Sequence, residues 1–159
     1  MSTDEDAAYL RTAIELAKAS VLAGGGPFGA VVVCDGEIIG RGQNTVVRDR
    51  DPSAHAEVNA IRAAAHALGR PHLDDCTLYA SCEPCPMCLA TSLWAHIPRI
   101  VYAASHEQAT RAGFDDTPIA EALYGSVHPA ACHRLHHHPL PEATLPFDQW
   151  LAKQDRVHY

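Results

Sequence analysis

Residues 84–88 read Pro84-Cys85-Pro86-Met87-Cys88, and upstream of them the chain reads His55-Ala56-Glu57. These two stretches decide how everything around them is read. Together they supply one imidazole and two thiolates, which makes three protein ligands for a zinc ion, and one carboxylate not needed as a ligand. Three protein ligands leave one corner of the tetrahedron for water, as a catalytic zinc requires; a structural site is closed by four. Cys85 and Cys88 stand three apart near an expected helix start, so both sulfurs project from one face. The helix N-terminus favours negative charge and so the thiolate form. His55 and Glu57 are two apart, a spacing that normally diverges on a helix. They converge if the metal lies over an exposed first turn, which predicts two helix N-termini facing each other across one ion.

Working outward, Asp51-Pro52-Ser53 offers helix-start chemistry ahead of a helix over 55–68, and Pro84 opens a second over 85–95. Residues 6–23 carry apolar side chains at helical spacing (Leu10, Ile14, Ala17, Val21), ended by Gly24-Gly25-Gly26. A β-branched run over 29–34, the turn Asp35-Gly36 and a return over 37–42 predict a hairpin. Further strands are expected at 77–81 and 100–104. Short helices are expected at 109–112 and 119–124, flanking Gly113-Phe114-Asp115-Asp116. From Val127 to Pro146 the sequence becomes rich in His and Pro, and a closing helix is expected over 147–154. The order helix, hairpin, helix, strand, helix, strand implies a mixed sheet with helices on both faces. That is a three-layer α/β/α domain, here one domain over residues 1–159 with no internal repeat.

A chain of 159 residues can bury a full core, and its 47% apolar content with modest charge marks it as globular. The apolar stretch from Val21 to Val33 is interrupted by Gly24-Gly25-Gly26-Pro27, so no membrane span is expected. The acidic start, Met1-Ser2-Thr3-Asp4-Glu5-Asp6, is unlike a secretion signal, and the protein is expected to be soluble and cytoplasmic. A formal net charge of −7 weighs against a nucleic-acid partner and favours a small-molecule substrate. Of six cysteines, two are assigned to metal. Cys34 and Cys76 read as small buried hydrophobes at strand ends, and a disulfide framework is not expected. Cys82 either caps the strand before the zinc helix or serves as a fourth ligand; the cap is the preferred reading. Cys132 and His133, with His136-His137-His138, read as an exposed loop in preference to a second metal site.

His-x-Glu followed by Pro-Cys-x-x-Cys is also the signature of the zinc nucleobase deaminases. Over nearly its whole length the chain resembles bacterial guanine deaminases of the cytidine-deaminase-like superfamily. The matching segments are Gly26-Pro27-Phe28-Gly29-Ala30-Val31, Asn44, Asp51 to Val58, Cys82 to Cys88, Gly113-Phe114-Asp115-Asp116, and Pro146-Phe147-Asp148-Gln149-Trp150 through Tyr159. The central segments are shared with tRNA adenosine deaminases. The Gly-Phe-Asp-Asp segment and the aromatic C-terminus select the guanine branch.

The resemblance implies a cytidine-deaminase-like fold with a central mixed sheet of about five strands. It implies hydrolytic deamination of guanine to xanthine and ammonia. One Zn2+ would be held by His55, Cys85 and Cys88, with Glu57 moving protons and Asp116 as a second acid on the guanine amine. Asn44 is similar to the residue that reads the base edge, since an amide both donates and accepts. Phe28, the His55 ring and Trp94 would wall the planar base, Ala56 would offer a backbone N–H, and Asp115 would join the substrate contacts. Tyr159 resembles the aromatic that closes the pocket at the end of a C-terminal segment, residues 126–159. In relatives that segment is sometimes delivered by a swapped partner, and because such folds expose sheet edges and apolar helix faces that commonly pair, a homodimer is expected by analogy. Glu142 occupies a position that is acidic in relatives. The competing readings are the same chemistry on a triazine, cytosine or guanosine, then tRNA adenosine editing, and last a non-enzymatic zinc module closed by Cys82.

Overall fold

A computed structural model describes residues 2–125 and 132–159, so residues 127–131 of the His- and Pro-rich stretch lie outside the described residues. Helix α1 (Thr3–Leu22) starts earlier than its apolar spacing suggests, because Ser2 and Glu5 form a reciprocal capping box. Strands β1 (Gly26–Cys34) and β2 (Glu37–Asn44) follow, then a single turn α2 (Val46–Asp49) and helix α3 (Ala56–Leu68). Next come β3 (Cys76–Cys82), α4 (Pro86–Trp94), β4 (Arg99–Ala104), α5 (His106–Arg111) and α6 (Thr117–Tyr124). Last come β5 (Leu135–His137), a 3-10 turn (Pro141–Thr144) and α7 (Leu145–Ala152).

The hairpin turns at Asp35 and Gly36, both in the left-handed region (φ 50° and 78°). That is the twist a two-residue connection needs to return a right-twisted strand. The sheet order is β2-β1-β3-β4-β5. β1 is antiparallel to β2 and to β3, whereas β3–β4 and β4–β5 are parallel. Side chains alternate across β1. Ala30, Val32 and Cys34 pack with Ile61 of α3 and Leu89 of α4. Val31 and Val33 pack on the opposite face with Leu10 and Ile14 of α1 and Phe147 of α7. Both faces of the sheet are covered, which explains why β3 is buried at every position. This is the three-layer α/β/α architecture.

Two features of β2 position the site. A Cβ on Gly42 would collide with the Ala56 carbonyl oxygen, and one on Gly40 with the Ala60 carbonyl oxygen. Glycine at these positions lets α3 lie directly on the strand. Across β1 and β3, Cys34 is the register partner of Cys76 and both are buried free thiols. Burial pushes the Cys76 thiol up to about 12, so the pair behaves as the small hydrophobes the sequence suggests.

The His-rich stretch departs from expectation. His136 and His137 belong to β5, whose Leu135 is in register with Ile100 of β4. His137 stacks on Tyr102 (4.8 Å between ring centroids), and its Nε2 lies 3.0 Å from the Ala103 carbonyl. The backbone groups along the free edge of β4 supply the pairing that the sequence of β5 does not advertise. Among the described residues, these histidines join no group able to hold a metal. No helix among the described residues is long and apolar enough to cross a membrane.

Candidate active site

α3 and α4 begin side by side, and the residue capping each start is one of the expected ligands. His55 precedes α3 and Cys85 precedes α4, both with extended backbone and neither bonding its own helix through its side chain. Freed from capping, the two side chains meet. His55 Nδ1 lies 3.6 Å from Cys85 Sγ and 3.5 Å from Cys88 Sγ, and the two sulfurs are 3.6 Å apart. A zinc ion about 2.3 Å from sulfur and about 2.0 Å from nitrogen, with tetrahedral angles, separates its ligands by roughly 3.5–3.8 Å. The three donors therefore stand at the corners such an ion requires.

Charges in this cluster reinforce one another. The hydrogen bond from Cys88, and then that from His55, hold the Cys85 thiol down to about 4 despite its burial, whereas Cys88 is pushed up as the donor. Burial favours neutral His55, but the Cys85 thiolate and Glu57 outweigh it and raise its pKa. Glu57 projects from the first turn of α3, fully enclosed, with Oε2 3.3 Å from Cys88 Sγ. Burial, and next the Cys85 charge, raise its carboxyl above the usual range. A carboxylate poised to hold a proton thus sits beside the metal corner without being one of the three ligands.

A cavity of about 380 Å³ opens over this cluster, a volume suited to a small ligand. Phe28, Asn44, His55, Glu57, Asp115, Asp116 and Tyr159 all line it. Asn44, buried at the end of β2, accepts a hydrogen bond from the Val46 N–H (3.3 Å) through Oδ1, so it shapes the chain as well as facing the cavity. The Tyr159 side chain lines the cavity beside Asn44 and rests on Gly26, where a Cβ would strike the phenol oxygen. Burial of that phenol raises its pKa. Tyr159 therefore stands in the cavity with Phe28, Asn44 and Glu57.

The adjacent acids separate in role. Asp115 Oδ1 accepts from the Thr117 N–H (3.0 Å), a local turn contact at the start of α6. Asp116 is more enclosed, and its Oδ1 lies 2.9 Å from His106 Nδ1. Burial raises the Asp116 pKa, and the neighbouring His106 pulls against that rise.

Several expected residues fall elsewhere. Trp94 is 82% exposed in the last turn of α4 and is not part of the cavity wall. At 1.5 Å per residue, the length of α4 carries it roughly 13 Å from the ligand end. The Ala56 methyl is buried in the core against α4, while its N–H belongs to the first helical turn, which has no intrahelical acceptor. Glu142 is paired with Arg11 (2.6 Å), away from the cavity. Cys82 lines the cavity from the end of β3, outside the His55–Cys85–Cys88 group, and its Sγ lies 3.9 Å from the Ser105 carbonyl. Sequence reasoning missed His106 and gave no role to Phe114. Phe114 meets Phe28 edge-on at 5.0 Å and also touches Trp150 and Tyr159. The one signal for His106 is Ser105 with Gln108, a capping box that marks the start of α5.

Two donors at helix starts, a second thiol and an enclosed carboxylate on this fold define a class. The chain belongs to the zinc-dependent deaminase family described as "Cytidine and deoxycytidylate deaminase zinc-binding region", whose sequence profile matches residues 3–104. Within that class it is similar to the guanine deaminase of Bacillus subtilis (strain 168), with 49% identity over 142 residues, 89% of this chain and 83% of that protein. The crystal structure of a Bacillus subtilis guanine deaminase superposes with a TM-score of 0.73 at 46% identity, covering 96% of this chain and 97% of that one. A guanine deaminase from Nitrosomonas europaea superposes at 0.78 with 29% identity, covering 92% and 84%. The tRNA-specific adenosine deaminase of Bacillus subtilis is 39% identical over 100 residues, 63% of this chain and 62% of that protein. The zinc ion of the family fits the donor set formed here by His55, Cys85 and Cys88.

Proposed function

We propose that this chain hydrolyses guanine at C2, releasing xanthine and ammonia. The observation that carries the reading is the convergence of Glu57 and Asp116 on one cavity above the three metal donors. Zinc, when bound, would lower the pKa of a water from about 15.7 to near 7. Glu57 takes one proton from the attacking water and gives it to the ring nitrogen beside C2; it then moves the second proton, from the oxygen added to C2, to the departing amine, so that ammonia leaves as the C2 carbonyl forms. Its raised pKa suits both directions of transfer. Asp116 receives the exocyclic amine and supports its departure. The Asn44 amide reads the ring edge, and Phe28 packs against the ring plane, itself braced by Phe114. Tyr159, at the end of the segment 126–159, covers the base and excludes water.

The guanine deaminase relatives support this substrate over a triazine, cytosine or guanosine. The acidic balance of the chain, −7, speaks against tRNA. We further read the enzyme as a cytoplasmic homodimer. Six free thiols suit a reducing compartment. The exposed apolar side chains Trp94, Ile119 and Leu123 suit burial by a second copy, with exchange of the C-terminal segment as one way to achieve it. The test is release of xanthine and ammonia from guanine by zinc-loaded protein, run beside adenosine-bearing tRNA, cytosine and guanosine. Turnover of guanine above the others supports the assignment, and inactivity on guanine with zinc bound removes it.

A further inference from the structure

His106 lies outside the motif residues, yet every polar group of this residue that faces the site is engaged. Its backbone N–H donates to Glu83 Oε2 (2.9 Å), and Glu83 sits two residues before the ligand Cys85. Its ring spans Asp116 Oδ1, 2.9 Å from Nδ1, and Thr117 Oγ1, 3.1 Å from Nε2. A carboxylate only accepts, so the ring nitrogen facing Asp116 is the protonated one, whereas the Thr117 hydroxyl at Nε2 can donate or accept. Thr110 approaches Nε2 at 3.5 Å, but its hydroxyl proton is committed to the His106 carbonyl at 3.0 Å. His106 thus stands between Asp116 at one ring nitrogen and Thr117 at the other.

We infer that His106 is a positioning residue for Asp116: its Nδ1, 2.9 Å from one carboxylate oxygen, pairs with that oxygen so that the other is presented to the substrate amine. Through Glu83 the same residue ties that carboxylate to the metal-bearing loop, setting the spacing between the two acids of the site. Asp115, one position earlier, has no such ring contact within hydrogen-bond distance, His106 Nε2 standing 3.9 Å away. This assignment rests on the reading that Asp116 acts on guanine.

The experiment is a double-mutant cycle of His106→Ala and Asp116→Asn, reading kcat and KM on guanine, zinc content and thermal stability. His106→Ala is expected to lower kcat about 10- to 100-fold, the usual reach of an outer-shell partner, with KM and zinc content little changed. His106→Asn, whose amide N–H replaces the Nδ1–H, should recover most of that loss. In the Asp116→Asn background, His106→Ala should cost almost nothing further, because the oriented carboxylate is already gone. Thr117→Val, which removes the hydroxyl on Nε2, should lower kcat about two- to tenfold and be silent in the same background; it carries the test if His106→Ala does not fold. Equal loss in both backgrounds, or no rescue by Asn, overturns the assignment while leaving Asp116 in place. Full activity of Asp116→Asn overturns the Asp116 reading itself, and the role of His106 with it.

Discussion

Gly42 and the carbonyl of Ala56 are in direct contact, with no room between them for a single methyl group. Ala56 lies between His55 and Glu57, so this contact sets where the His55 ring and the Glu57 carboxyl stand relative to the sheet. Gly42→Ala is expected to cost about 1–3 kcal/mol, the penalty of overpacking, and to loosen zinc binding as α3 shifts. Arg41→Ala, exposed between the two glycines, should stay within about 0.5 kcal/mol of the wild type. Denaturant unfolding and competition for zinc against a chelator measure both effects.

Glu57→Gln should keep its zinc and lose activity by about 10²- to 10⁴-fold, the contribution of a positioned acid and base. Zinc content by elemental analysis alongside single-turnover kinetics gives the answer. A zinc-replete and fully active variant would show that the proton moves by another route.

Tyr159 joins the cavity through a ring contact with Phe114 at 5.5 Å, with its hydroxyl over Gly26 at the cavity wall. Tyr159→Ala is expected to raise KM for guanine about tenfold, the scale of one or two aromatic contacts. Tyr159→Phe keeps the ring and should cost about threefold, the scale of one neutral hydrogen bond. Equal effects of the two variants would mean that the hydroxyl alone matters.

Asp6, in α1, receives two hydrogen bonds from Arg99 of β4 (2.6 and 2.9 Å) and one from the Tyr79 hydroxyl (2.8 Å). The Arg99 contact holds its carboxyl below the ordinary 3.8. A depressed carboxyl adds stability that is complete above its unfolded pKa and is lost as pH falls through the folded one. Asp6→Asn should therefore destabilise the protein by about 2–3 kcal/mol at neutral pH. The gap from wild type should begin to close as pH drops below about 3.8, and urea titrations across that range read the difference directly.

The ligand triad and Glu57 were legible in sequence because metal chemistry restricts residue type and spacing severely. The hairpin was legible because Asp35-Gly36 is a turn that few other pairs make. β5 was not legible. Three residues with two histidines show no apolar alternation, and the strand is specified by the open edge of β4 rather than by its own sequence. Trp94 misled because an aromatic near a motif resembles a pocket wall, whereas distance along the α4 axis decides the matter. His106 was hidden for the opposite reason. Its meeting with Asp116 is made by the fold of a loop, and neither residue type nor spacing announces it.

Both helices at the site open on a poor cap. Ser, Thr, Asp or Asn in place of His55 or Cys85 would satisfy orphan N–H groups and add about 0.5–2 kcal/mol. Selection for folding alone would therefore drift away from His55 and Cys85, two of the three donors that fit a zinc ion. A redesign guided by helix-start preferences would gain thermal tolerance in its first round, and erase the catalyst in the same step.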